Sequence, residues 1–217
     1  MSGFKLAIDG PAGSGKSTIS KRIADKLGWI HIDTGAMYRA VTLEALELGI
    51  DLHDTNQYHF LETIQIRYEH DAIYINDRNV NEDIRSQAVT KNVSLVSSFP
   101  YVRDKMVKLQ QEAASNGFIV MDGRDIGTVV LPHAELKIFL TANIEERAKR
   151  RYQESVKKGK NIHIDQIIED IEIRDTKDST RELSPLRKAE DAIEIDTSDL
   201  TIDQVVDLII SKIPTNQ

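Results

Sequence analysis

Apolar residues along this chain follow two periods. Short apolar runs recur at Phe4-Lys5-Leu6-Ala7-Ile8, Trp29-Ile30-His31-Ile32, Phe118-Ile119-Val120-Met121, Leu136-Lys137-Ile138-Phe139-Leu140 and Ala192-Ile193-Glu194-Ile195. They read as strands, and the uninterrupted run at 118–121 is what a strand buried on both faces requires. Between them the spacing becomes helical: Ile19, Ile23 and Leu27; Ala40, Leu43, Ala45, Leu46 and Leu48; Val102, Met106, Leu109 and Ala113; Ile167, Ile168 and Ile171; Val205, Val206, Ile209, Ile210 and Ile213. Gly28 and Gly49 end two of these helices, Pro100 starts one and Gly117 closes it, Asn143 caps another that Gly159 breaks, and Thr201-x-x-Gln204 is a capping box. Strands alternating with helices predict an α/β protein, a parallel five-stranded sheet flanked by helices.

One stretch departs from that rhythm. Ile64, Ile66 and Tyr68, then Ile73 and Ile75, alternate with polar residues, with turns at Asp71-Ala72 and across Asn76-Asp77-Arg78-Asn79. This predicts a small antiparallel β-meander, about 65–80, inserted in the β/α alternation. Asp51–Leu61 reads as polar and helix-like, and Asp83–Ser97 as a helix carrying Ile84, Ala88 and Val93.

In an open parallel sheet, ligands bind at the carboxyl ends of the strands. Those ends are Asp9-Gly10, Asp33-Thr34, Asp122-Gly123 and Asp196-Thr197. The first opens Gly10-Pro11-Ala12-Gly13-Ser14-Gly15-Lys16-Ser17-Thr18, which fits G-x-x-x-x-G-K-[ST] between a strand and a helix. Glycines at 10, 13 and 15 let backbone N–H groups converge on one hollow, and the helix N-terminus adds partial positive charge. A polyphosphate such as that of ATP fits it, with Lys16 reaching the β- and γ-phosphates and Ser17 on Mg²⁺. Asp122, after a buried strand, stands where such proteins keep a carboxylate that meets the metal through water.

Composition narrows the partners. The 217 residues are 40% hydrophobic and 29% charged, with net charge −7, so no global basic field favours nucleic acid or an anionic membrane. There is no cysteine, hence no disulfide or thiolate site, and no apolar run reaches membrane-spanning length. No signal-peptide pattern opens the chain, so cytoplasm is the expectation. The six histidines form no H-x-x-x-H pair and read as incidental.

Against that acidic background, arginines stand out. Arg39 and Arg124 each follow a strand. Arg147 and Arg151 are four apart with Arg150 beside them, and the spacing of Arg174, Asp178 and Arg181 places them on one helical face. An alcohol acceptor benefits from a base, but a phosphate monoester, with a second pKa of about 6, is already an oxyanion at neutral pH. Its obstacle is repulsion, which several arginines and Mg²⁺ relieve; one such arginine can contribute about 10³–10⁵ in rate. The pattern favours phosphate-to-phosphate transfer and leaves alcohol acceptors open.

Four blocks in order, Gly10–Ser17, Asp33-Thr34-Gly35-Ala36-Met37-Tyr38-Arg39, Asp122-Gly123-Arg124-Asp125-Ile126-Gly127-Thr128 and Arg174-Asp175-x-x-Asp178-x-x-Arg181-x-x-x-Pro185-Leu186, together resemble the bacterial cytidylate kinases over nearly the whole chain. The resemblance implies a P-loop nucleoside monophosphate kinase fold: a core of about 1–36, 100–145 and 186–217, a monophosphate-binding lobe of about 37–99 containing the β-meander, and a helical lid of about 146–185. It implies transfer of the ATP γ-phosphate to CMP or dCMP by a monomer, with ATP and Mg²⁺ as cofactors. Arg39, Arg124 and Arg181 would hold the acceptor phosphate, with Thr34 nearby. Ser94, Arg103 and Asp125 would read cytosine, and Arg174 and Asp178 the ribose. Arg147, Arg150 and Arg151 would cover the ATP phosphates, Lys16, Arg124, Arg147, Arg151 and Arg181 acting in the transfer. From the residues alone, Ser94 and Arg103 read as surface positions, and Lys177 is given no role.

Two rivals remain at this stage. One is a P-loop kinase for UMP, AMP or shikimate. The other is a guanine-nucleotide switch, disfavoured because Thr176-Lys177-Asp178 puts its aspartate one place early for [NT]KxD and inside a helix. A nucleotide-binding scaffold without activity fits poorly with Lys16, Ser17 and Asp122 all present.

Overall fold

The computed structural model describes residues 3–69, 72–157, 159 and 162–214. They form two compact units, one of residues up to His31 and from Gly117 onward, the other Ile32–Asn116.

A five-stranded sheet runs in the order β2-β6-β1-β7-β8, from β1 (Lys5–Asp9), β2 (Ile30–Asp33), β6 (Ile119–Gly123), β7 (Leu136–Thr141) and β8 (Ile193–Asp196), and all of it but Ile32 and Asp33 belongs to the first unit. β1 pairs in parallel with β6 and β7, and β7 with β8. Every residue of β6 is buried, as its apolar run predicts. Helices α1 (Lys16–Leu27) and α7 (Ile202–Ile210) pack on this sheet: Ile19, Ile23, Val205, Val206 and Ile209 join Leu6, Ile8, Val120, Ile138 and Leu140 in one core. Each such side chain contributes roughly 1.5–3 kcal/mol by leaving water. The capping box at α7 is complete, with Thr201 Oγ1 accepting from Gln204 N–H at 3.2 Å and Thr201 N–H donating to Gln204 Oε1 at 2.9 Å. α5 (Ile144–Lys157) and α6 (Ile164–Thr180) share a separate small cluster of Ala148, Ile167 and Ile171. Among the described residues no helix is long and apolar enough to cross a membrane.

The second unit combines α2 (Thr34–Glu47), α3 (Gln87–Val96), α4 (Pro100–Ala113) and an antiparallel sheet of β3 (Ile66–Glu69), β4 (Ala72–Ile75) and β5 (Arg78–Asn79). Its core holds Val41, Tyr58, Ile73, Val93, Val102 and Met106. Because Val102 and Met106 are buried there, α4 belongs with this unit, which is therefore wider than the expected lobe of 37–99.

Three local readings shift. The Asp83–Ser97 segment is two pieces, a 3₁₀ turn at Asp83–Arg85 and α3, because Ser86 takes an extended backbone and caps Val89 N–H at 3.4 Å. Arg78-Asn79 is strand rather than turn; the hairpin turn is Asn76-Asp77, with Asn76 at φ 54. α4 stops at Ala113, before Gly117. Asp71 of the expected Asp71-Ala72 turn lies outside the described residues, as do Met1, Ser2 and the last three residues of the expected core.

Candidate active site

β1 delivers the chain to Gly10, whose added Cβ would stand 2.1 Å from the Leu140 carbonyl oxygen, so only glycine passes there. Gly15, at φ 92, turns the loop into α1 in a left-handed conformation that side chains resist. Lys16 Nζ donates to the Pro11 carbonyl at 2.8 Å and to Ser14 Oγ at 3.4 Å. Burial, then the charges of Arg124 and Arg174, push the Lys16 ammonium well below its ordinary value, and Asp122 and Asp9 offset this only in part. An anion in the hollow would restore it. Thr18 follows in the exposed first turn of α1.

Two helix arginines buttress this loop. Arg147 donates to the Ala12 carbonyl at 3.1 Å and to the Ala142 carbonyl at 3.1 Å, and pairs with Asp175, which also accepts from Ala12 N–H at 3.3 Å. Arg150 donates to the Thr197 carbonyl at 2.6 Å, to Thr197 Oγ1 at 3.0 Å and to the Ser14 carbonyl at 3.5 Å. Arg151, half-buried, joins neither network among the described residues.

Ser17 Oγ donates to Asp122 Oδ2 at 2.7 Å. A hydroxyl and a carboxylate side by side suit Mg²⁺, which takes one or two protein oxygens and completes its shell with water and phosphate. Among the described residues no three His, Cys, Asp or Glu gather as a self-sufficient metal cage. The other oxygen, Asp122 Oδ1, lies 2.7 Å from His31 Nε2, both side chains nearly fully buried. This corrects the reading of every histidine as incidental. His31 on β2 meets Asp122 on the neighbouring strand β6, a partner that spacing within the sequence could not supply.

In the same unit, Arg124 Nε donates to Asp178 Oδ2 at 2.9 Å, and Arg174 Nε lies 3.9 Å from the same oxygen. Arg181 donates to the Ser184 carbonyl at 2.6 Å and reaches Asp125 Oδ1 at 3.5 Å. Burial alone would raise the Asp178 carboxyl, but Arg124, Arg174 and Arg181 outweigh it and hold it below the usual carboxylate range. The expected single helical face needs correction: α6 ends at Thr180 and Arg181 is extended, at ψ 142. The loop beyond it folds back, Leu186 N–H donating to the Asp178 carbonyl at 2.8 Å.

In the second unit, Asp33 does two jobs. Its Oδ1 caps α2 through Ala36 N–H at 3.0 Å, and its Oδ2 pairs with Arg39 at 2.9 Å. A Cβ on Gly35 would sit 3.0 Å from Asp33 Oδ1 and 3.1 Å from Arg39 Nη1, so a side chain there would crowd the pair. Thr34 is buried at the start of α2, and Ser94 is half-buried on α3. Arg103 corrects the surface reading: it is 3% exposed, donates to the Ser97 carbonyl at 3.3 Å and lies 5.6 Å over the Tyr38 ring. A long cation on the buried face of α4 looks, in sequence, like one on the outside.

A glycine-rich loop joining the middle strand of a parallel sheet to a helix, with a lysine aimed into it and arginines around it, puts the protein among the P-loop kinases. The family is narrower. The cytidylate kinase family model matches residues 6–215, and the chain belongs to that family. It is 60% identical over 213 residues to a cytidylate kinase of Acholeplasma laidlawii (strain PG-8A), covering 98% of this chain and 96% of that protein. It is 49% identical over 215 residues to a cytidylate kinase of Bacillus subtilis (strain 168), covering 97% and 96%. The crystal structure of an uncharacterized protein from Eubacterium ventriosum ATCC 27560 shares the fold alone, with TM-score 0.52, 14% identity and 97% of each chain covered.

Proposed function

We infer that the protein transfers the γ-phosphate of ATP to CMP or dCMP, giving CDP or dCDP and ADP. The observation that carries this reading is that a chain of the cytidylate kinase family holds Lys16 over its glycine-rich loop and Ser17 on Asp122, with Arg124, Arg174 and Arg181 gathered on Asp178 and Asp125 in the same unit.

ATP phosphates rest on the amides of Gly10–Ser17 and on Lys16, with Thr18 in the same helical turn and Arg147, Arg150 and Arg151 covering them from the α5–α6 lid. Ser17, and Asp122 through water, would hold Mg²⁺, which would supply positive charge against the ATP phosphates when bound. The acceptor phosphate is taken by Arg39, Arg124 and Arg181, while Arg174 and Asp178 contact the ribose. An oxygen of the CMP phosphate attacks the γ-phosphorus; that bond forms as the bond to the β–γ bridging oxygen breaks and ADP leaves with the electron pair. No base is required, because the attacking oxygen is already ionised. Lid closure keeps water from competing.

Asp125, Arg103 and Ser94 read the base. A carboxylate accepts from the cytosine 4-amino group and a guanidinium donates to N3 and O2. Uracil would set O4 against the carboxylate, a mismatch of about 1–3 kcal/mol. The cysteine-free composition accords with a cytoplasmic enzyme, and we expect a monomer. The test is Mg-ATP with CMP, dCMP, UMP, AMP and shikimate in turn. CMP or dCMP should be far the best acceptor, and preferential turnover of any other compound would reject the assignment.

A further inference from the structure

The residues that follow Arg124-Asp125 coil into one wide turn, Ile126–Val130. Within it, Val129 and Val130 N–H donate to the Asp125 carbonyl at 2.8 and 3.2 Å, and Leu131 N–H to the Ile126 carbonyl at 2.7 Å. The first N–H groups of such a turn have no acceptor inside it. Here Ile126 N–H donates to Asp9 Oδ1 at 2.8 Å and Gly127 N–H to Asp9 Oδ2 at 2.7 Å. One carboxylate, 4% exposed at the end of the strand leading into the P-loop, therefore takes both, one on each oxygen. A Cβ on Gly127 would stand 3.1 Å from Lys137 Cδ and 3.4 Å from Asp9 Oδ2, so the glycine keeps clear the space beside the Lys137 stem.

We propose that Asp9 is a positioning residue for acceptor recognition: it fixes the backbone at Ile126 and Gly127, and through it the adjoining Arg124 and Asp125. The inference rests on the reading above, in which Arg124 and Asp125 hold CMP. It demands two acceptors. Asparagine keeps the shape but turns an amide N–H₂ toward one of the two donors, which leaves that N–H opposed. The charged groups facing Asp9 are Lys16 on α1, Asp125 at the turn and the stem of Lys137 on β7, whose Nζ is held by the Pro132 carbonyl and Asp191. Its sheet neighbours, Gly123 on β6 and Phe139 on β7, are not ionisable. Burial, reinforced by Asp125, pushes the Asp9 carboxyl up to about 6 against the two N–H groups and Lys16. Protonation turns one acceptor into a donor, so both bonds hold together only above that value.

Steady-state kinetics of the wild type, Asp9→Asn and Asp125→Ala at about pH 7.5, each with ATP, CMP and UMP, test this. Asp9→Asn should raise KM for CMP about 10-fold or more and reduce the preference for CMP over UMP, with KM for ATP within about 2-fold. If Asp9→Asn changes thermal stability alone, or raises both KM values alike, Asp9 merely supports the fold and the proposal fails. If Asp125→Ala abolishes base preference while Asp9→Asn keeps it, the Asp9 inference alone fails. If Asp125→Ala leaves preference intact, the reading of the site fails and takes the inference with it. Should Asp9→Asn not fold, Asp9→Glu keeps both oxygens and the charge but lengthens the stem by one methylene, and should give the same split. In the ligand-free protein, Asp9→Asn should move the ¹⁵N-amide signals of Ile126 and Gly127 and those of the adjoining Arg124 and Asp125; signals that stay where they are in the wild type overturn the proposal.

Discussion

Asp9 and Asp178 are both buried aspartates of the same unit, and their surroundings move them in opposite directions. Asp9 meets two backbone N–H groups, whose partial charges do not compensate burial, and rises to about 6. Asp178 meets Arg124, Arg174 and Arg181, whose full charges do, and stays below 3.8. One region thus fixes backbone with a carboxylate that burial disfavours. The other gathers guanidinium groups on a carboxylate that they keep ionised.

The largest expected effect falls on the residue that feels both regions. Lys16 is acted on by Asp9 and by Arg124 and Arg174; Lys16→Ala should lower kcat by about 10²–10³, measured in single turnover. Next is Asp178→Ala, which removes the carboxylate that Arg124 and Arg174 share and should cost about 3–5 kcal/mol in urea unfolding at neutral pH. Because the folded Asp178 titrates below 3.8, this contribution is present above that value and lost as pH falls through the lower folded one. Asp9 should show the reverse sign. Its raised pKa contributes stability in full below 3.8 and loses it as pH rises through about 6. The stability of the wild type relative to Asp9→Asn should therefore fall by on the order of 3 kcal/mol between about pH 4 and 7. If that difference rose with pH instead, the contrast between amide and guanidinium surroundings would be wrong. The smallest effect belongs to a pair outside both regions: Arg22 and Asp203, 2.6 Å apart with side chains 56% and 77% exposed. Arg22→Ala should change stability by less than about 1 kcal/mol and leave both KM values unchanged.

How much of this was legible in sequence depends on how far apart the partners lie. The P-loop, the capping box at Thr201 and the buried strand β6 were readable because spacing within a few residues fixes them. The pairing of Arg124 with Asp178, 54 residues apart, could be suspected from arginine spacing but not drawn. The tie of Asp9 to Gly127, 118 residues apart, left no local signal, and neither did the burial of Arg103 and His31.

The amino-acid sequence by itself determined the strand and helix alternation, the phosphate-binding loop and the family, because periodicity, glycine placement and motif spacing are local properties of a chain. Tertiary structure alone decided which aspartate meets amides and which meets arginines, where α4 packs, and that His31 and Asp9 support the residues around the site. Those outcomes depend on burial and on charges brought together across the sheet, and neither is written at any single position.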